Sequence, residues 1–307
     1  LAGKVTVPAS HQRYRMPWPP GRTDAVSARG RAACQDRAMT DAAKDAARTA
    51  TNSPVVRALA RGGYAATGVV HMLIGAIVLT IAGGGSGDSD QSGAFRAVAA
   101  APLGFVALWV LAVLLWSLGI WHALEGIAVR RRSDVRKWSV RVSEWGQAIA
   151  FLALGTGAAV VALGARPDGD ETAEDASRGI LAVTGGPFIL GAVGIGVAIG
   201  GVAFAVIGVR RSFRTKMSIP AGRLGTTVTM LGAVGFVAKG IALLIVGILL
   251  VVAAVRVDPA AAGGLDGAIQ VLLAVFLGPV LVGLVGAGFV AYGVFCLFRA
   301  RYARLRG

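Results

Sequence analysis

The chain has 307 residues, of which 55% are hydrophobic and 15% charged, with a mean hydropathy of +0.67 and a formal net charge of +15. Soluble domains carry about 25% charged residues, so this composition excludes an ordinary soluble domain. The two cysteines, Cys34 and Cys296, exclude a disulfide framework and a cysteine-based metal site.

Residues 1–55 are rich in Arg, Ala, Pro and Ser and read as a disordered basic tail. Within them, "MPWPPGR" admits neither a strand nor a helix interior. No apolar core is present, so the segment is not a signal peptide. Met39 opens "MTDAAKDAARTA" and is the expected native start, the residues before it being translated upstream sequence. A genuine basic cytoplasmic tail is the alternative.

Six apolar runs follow, at Tyr64–Ala82, Leu103–Val129, Ala148–Gly164, Pro187–Val209, Val228–Val255 and Gly278–Phe298. Each is near or above the roughly 17–25 residues that cross a hydrocarbon core as helix. A membrane strand needs only about 10 residues of alternating polarity. The chain is therefore expected to be an all-α membrane protein with six transmembrane helices. "RRRSDVRKWSVR" (Arg130–Arg141) follows the second run, and Arg210, Arg211, Arg214, Lys216 and Arg223 follow the fourth. Arg299, Arg301, Arg304 and Arg306 close the chain. The alternate loops "GGGSGDSDQSG", "RPDGDETAEDAS" and "RVDPAAAGGLD" are acidic or nearly neutral. Cytoplasmic loops collect Lys and Arg, so the basic loops and both termini are expected on the cytoplasmic side of a bacterial inner membrane. The partners implied are the bilayer, with anionic lipids at the basic loops; nucleic acid is not among them.

The runs repeat. "GYAATGVVHMLIG" (Gly63–Gly75) and "GFVAKGIALLIVG" (Gly235–Gly247) have one length and place glycine at the same three positions. "GAFRAVAAAPLG" (Gly93–Gly104) matches "GAIQVLLAVFLG" (Gly267–Gly278), and "GILAVTGGPFILG" (Gly179–Gly191) is a diverged middle copy whose Pro187 aligns with Pro102. The unit is a span, a loop, a short segment and a second span. Two spans per unit give every copy one orientation, so the repeats are parallel. They are expected at residues 56–130, 143–211 and 224–300, with a basic tail at 301–307. The short segments, with Arg96 and Gln270 at headgroup level, read as interfacial helices; a re-entrant element is the alternative. On "ARGGYAATGVVHMLIG", "SGAFRAVAAAPLG" and "GFVAKGIALLIVG" the chain resembles the bacterial domain of unknown function 1206, over residues 56–300. The resemblance implies three tandem transmembrane helix pairs and no activity. Copies in that family tend to carry arginine before the second glycine of the first motif, where this chain has Thr67 and Lys239.

His71, His122, Glu125 and Lys239 are the ionisable residues inside the spans and form a candidate intramembrane polar cluster, with Glu144 at the cytoplasmic end of the third span. At about 1.5 Å per residue, Lys239 lies roughly 24 Å from Arg223 and roughly 25 Å from Arg256, too deep for its ammonium to snorkel out. A pair with Glu125 is expected, with His71 nearby; a water-filled cavity is the alternative. The histidines are open to several readings: hydrogen bonds between helices, haem ligation through His71 and His122, a metal site with Glu125, or a proton relay. The acidic loop around Asp168, Asp170, Glu171, Glu174 and Asp175 lacks calcium-loop spacing. No catalytic, cofactor or metal motif is present. Gly196 with Gly200, and Gly283 with Ala287, are expected to draw helices together as small-residue pairs. The functional expectation is a non-enzymatic packing or interaction module of the inner membrane. The alternatives are a transporter or channel on three parallel repeats, and a haem-binding electron carrier using His71 and His122.

Overall fold

The computed structural model describes residues 41–129, 134–219 and 221–304. The readings made for residues 1–40, Met39 and Cys34 included, and for residues 130–133 and Arg306 lie outside the described residues. Helix α1 covers residues 41–52, inside the stretch for which disorder was expected. Its alanines favour helix, and Lys44 pairs with Asp41 at 2.8 Å across one turn. The described residues from Ala47 onward belong to one compact unit.

Six long helices are apolar enough to cross a membrane: α2 (Pro54–Ala82), α4 (Gly104–Ala128), α5 (Asp134–Ala162), α7 (Gly186–Arg210), α8 (Arg223–Arg256) and α10 (Gly278–Tyr302). Three short ones, α3 (Gln91–Ala99), α6 (Gly169–Leu181) and α9 (Leu265–Leu273), precede α4, α7 and α10. No sheet forms among the described residues; a lone antiparallel bridge joins Met217 to Ala303. Pro54 opens α2 at a position where its missing N–H is not needed.

In each repeat one backbone device links the short helix to the span after it. Leu103 (φ 63°), Gly185 (φ 78°) and Leu277 (φ 62°) all adopt the left-handed conformation, and a glycine follows each. The chain then turns so tightly that a Cβ on Gly104 would lie 2.6 Å from the Ala99 carbonyl oxygen, and one on Gly278 2.6 Å from the Leu273 carbonyl carbon. This equivalence corrects the sequence alignment of the middle repeat. Pro187 follows the turn glycine Gly186 as Pro279 follows Gly278, so its counterpart is Pro279, not Pro102.

The spans stand in the order α5, α4, α2, α10, α8, α7. The most extensive contacts run between repeats, α2 with α10, α4 with α5 and α7 with α8. The two spans of the middle repeat, α5 and α7, are the ends of this arc and are not packed on each other. The other two repeats keep their own pairs together.

Glycine sets the closest approaches. On α2 and α10, a Cβ on Gly68 or Gly75 would lie 2.7 Å from the carbonyl oxygen of Gly293 or Gly286. On α7 and α8, Gly201 and Gly194 meet the carbonyls of Gly240 and Gly247 at 2.7 and 2.9 Å in the same sense. Such backbone contact is what draws helices together in lipid, where the hydrophobic effect does not act between them. Gly63, Gly75, Gly235 and Gly247 all sit at contacts of this kind. The pair expected from Gly196 and Gly200 is not used: no atom lies within 4 Å of a Cβ at either, because α7 turns Gly194, Gly201 and Gly208 toward α8 instead.

On the acidic face the short helices hold one another through aspartates. Asp170 of α6 accepts from the backbone N–H of Gly264 at 2.9 Å and of Gly267 at 3.4 Å, at the start of α9. Asp266 of α9 accepts from the N–H and hydroxyl of Ser89 at 3.1 and 2.6 Å, at the approach to α3. Asp90 caps α3 by accepting from Gly93 at 2.9 Å, and its carboxylate fills the space where Gly169 of α6 would carry a side chain. Each repeat thus reaches the next, and the set closes on itself. Arg96 and Gln270 belong to this layer, through an ion pair with Asp88 and a 2.7 Å bond to Asp266.

Burial raises the carboxyl pKa of both Asp90 and Asp170 above 3.8, the neighbouring aspartates add to the rise, and the backbone donors oppose it. A carboxyl raised in the fold contributes stability that is complete below its unfolded value and is lost as pH rises through its folded value. Acidification from neutral pH toward about 4 is therefore expected to raise the thermal midpoint in detergent. Asp90→Asn with Asp170→Asn, which keep an accepting oxygen but cannot ionise, should flatten that dependence; an unchanged slope would contradict the assignment.

Candidate functional site

Lys239 sits at the middle of α8 and reaches His71 on α2, with Nζ 3.0 Å from Nε2. Two glycine contacts make the reach feasible. Gly235 lets α8 close on Tyr292 of α10, and Gly288 of α10 lies against Ala238. The other ring nitrogen of His71, Nδ1, is 2.8 Å from the Thr67 carbonyl oxygen, one turn back on α2. A carbonyl only accepts, so Nδ1 carries the hydrogen and Nε2 offers its lone pair to the lysine. The ammonium also lies 4.7 Å from the ring centre of Tyr292 and 5.4 Å from that of Phe204, as a cation over aromatic faces. His71 is buried, and its ring packs against Tyr292 at 4.8 Å and Phe289 at 5.9 Å.

This geometry corrects the expected Lys239–Glu125 pair: the hydrogen bond of Lys239 goes to His71. The physical reason is the order of the spans. α8 and α2 both flank α10, whereas α4, which carries Glu125, packs on the far side of α2. A lysine N–H donates to Nε2. A second proton on Nε2 would set two cations 3.0 Å apart, a repulsion of about 5 kcal/mol at an effective dielectric of about 20.

His122 belongs to a second group, nearer the basic loops. Its Nδ1 donates to Glu144 of α5 at 2.6 Å, and its Nε2 faces the Tyr64 hydroxyl of α2 at 3.5 Å, the outer limit of a hydrogen bond. The Tyr64 oxygen accepts from Arg299 of α10 at 3.2 Å, and the guanidinium stands 4.2 Å over the tyrosine ring. Phe151 stacks on the imidazole at 5.4 Å. Glu144, His122, Tyr64 and Arg299 thereby join α5, α4, α2 and α10. The candidate cluster of His71, His122, Glu125 and Lys239 divides into these two groups, with Glu125 on α4 one turn from His122. Sequence reading singled out none of Tyr64, Tyr292 and Phe204, and took Arg299 for a topology signal.

The two imidazoles do not suit a shared haem. Each has both ring nitrogens engaged, and they face different helices. Among the described residues no group of three or more His, Cys, Asp or Glu is placed to hold a metal ion. Cys296 is a buried free thiol in the same packed cluster as Tyr292.

A family model described as Domain of Unknown Function (DUF1206) matches residues 62–128, 145–211 and 234–303, once per repeat. The Uncharacterized protein YxxB of Bacillus subtilis (strain 168) is 24% identical over 258 residues, which cover 82% of this chain and 93% of that protein. No solved structure matches.

Removing either partner of the Lys239–His71 bond strands the other. Lys239→Leu and His71→Leu are each expected to cost about 1–3 kcal/mol of stability in detergent. The double variant should lose clearly less than the sum, whereas Glu125→Leu should add independently to Lys239→Leu. Thermal unfolding of the three single and two double variants measures this, and additive losses for lysine and histidine would refute the pairing.

Proposed function

The chain belongs to the DUF1206 family, and we propose that it is a non-enzymatic protein of the bacterial cytoplasmic membrane that works by binding another transmembrane helix along α7. The observation that carries this is the free small-residue face of that helix. Ala192, Gly196, Gly200 and Ala203 recur at helical spacing, a Cβ at Gly196 or Gly200 would meet no other described element within 4 Å, and Ala192, Gly196 and Ala203 are exposed. The helix stands at an open end of the arc, with the face toward α8 already filled by Gly194, Gly201 and Gly208. A second close-packing surface on one helix is what a partner helix in lipid requires.

The transporter reading has less support. On the acidic side of His71, α2 and α10 meet through Ile74, Val78, Val282, Val285 and Phe289, all buried and apolar. The basic face, with Arg210, Arg211, Arg214, Arg223, Arg299, Arg301 and Arg304, is placed in the cytoplasm with both termini, where it attracts anionic lipid.

Association of the full chain in bilayers, counted by single-molecule photobleaching or captured by crosslinking, tests the docking face. Gly196→Leu with Gly200→Leu should abolish association and leave the thermal midpoint unchanged, while Gly75→Leu should impair folding outright. Retained association in the double variant would overturn the reading.

Orientation is checked separately in a Cys34→Ser background. With an impermeant thiol reagent on intact cells, Ser86→Cys, exposed on the acidic face, should label. Ser212→Cys, exposed on the basic face, should not. Labelling of Ser212→Cys from outside would reverse the topology.

A further inference from the structure

We propose that Lys239 and His71 form a binding site for one exchangeable proton inside the membrane, reached from the basic face alone. The inference stands apart from the docking role of α7. It rests first on the 3.0 Å line from Nζ to Nε2, with the Nδ1 hydrogen of the same imidazole held by the Thr67 carbonyl at 2.8 Å. Only the position between lysine and histidine is then variable. When the ammonium N–H bond breaks, its electron pair stays on Nζ and the proton binds the Nε2 lone pair. Release from Nε2 goes to water entering from the basic face. No carboxylate among the described residues pairs with Lys239, so no counter-charge fixes the ammonium in its protonated form.

The surroundings give the site a direction. The titratable and charged groups of α10 toward it are Tyr292, Cys296 and Arg299; α2 adds Tyr64, and α7 contributes only the Phe204 ring. His122 of α4 and Glu144 of α5 follow through Tyr64. Tyr64, Cys296 and Arg299 all lie on the basic-face side of the pair, since α2 begins and α10 ends there. On the other side Ile74, Val78, Val282 and Val285 offer a proton nothing to bind, and the backbones of α2 and α10 meet directly at Gly75 and Gly286. The site loads and unloads on one side and is not a conduit.

The full chain, with nitrogen-15 in lysine and histidine, can be reconstituted in bilayers in one orientation. With three histidines in the chain, the His71 signals can be assigned by His71→Gln. In the wild type, His71 should show a protonated Nδ1 and a bare Nε2, and the Nε2 and Lys239 Nζ resonances should move together over a single pH interval. Lys239→Met should dissolve that shared step and shift the His71 interval by at least tenfold in proton concentration. A pH change on the basic face should move the His71 signals, and the same change on the acidic face should not. The proposal fails if the wild-type pair becomes doubly protonated, if the two residues titrate over separate intervals, or if the acidic face moves them equally. The wild-type measurement decides the matter even if Lys239→Met does not fold.

Discussion

Backbone contact between helices at glycine is the constraint on which the arrangement depends. At Gly68 and Gly75 against Gly293 and Gly286, and at Gly201 and Gly194 against Gly240 and Gly247, the facing carbonyls stand where a Cβ would go. In lipid the gain from association is packing rather than escape from water, so these contacts decide which helices are neighbours. They fall between repeats, joining the first span of one to the second span of another. A parallel repeat makes this economical, because one helix pair, copied, supplies both halves of the contact.

The polar chemistry is a consequence of that neighbourhood. Lys239 passes Tyr292 to reach His71 because α8 closes on α10 at Gly235 and Gly288, and α10 closes on α2 in turn. A charge at this depth is costly unless it is hydrogen-bonded, and the imidazole with its fixed Nδ1 hydrogen provides the acceptor. Nearer the basic loops, Glu144, His122, Tyr64 and Arg299 tie four helices together.

On the acidic face the repeats are coupled through aspartates. Asp170 and Asp266 each accept from the next repeat and Asp90 fills the space beside Gly169, so the short helices complete on that face the circle that the spans leave open between α5 and α7. The middle repeat, whose sequence has drifted most, is also the one whose two spans are not packed on each other. Its second span keeps an unused small-residue face, and the docking proposal follows from that.

The number of spans and their alternating direction were legible in the chain. They depend on properties local to the sequence: apolar run length, loop charge and residue spacing. The threefold repeat was legible too, except for the register of Pro187, which a positive φ at Gly185 sets. The partners were not legible. Lys239 was paired with Glu125 because both are charged and deep; packing order gives it His71, since α10 and not α4 lies beside α8. Nor could the sequence choose between Gly196 with Gly200 and Gly194 with Gly201. All four are on one helix, and only its rotation against α8 decides which face is buried. Composition and periodicity act along one strand of chain and determine what crosses the membrane. Helix order and rotation arise from contacts between distant segments, and only tertiary packing determines which side chains meet.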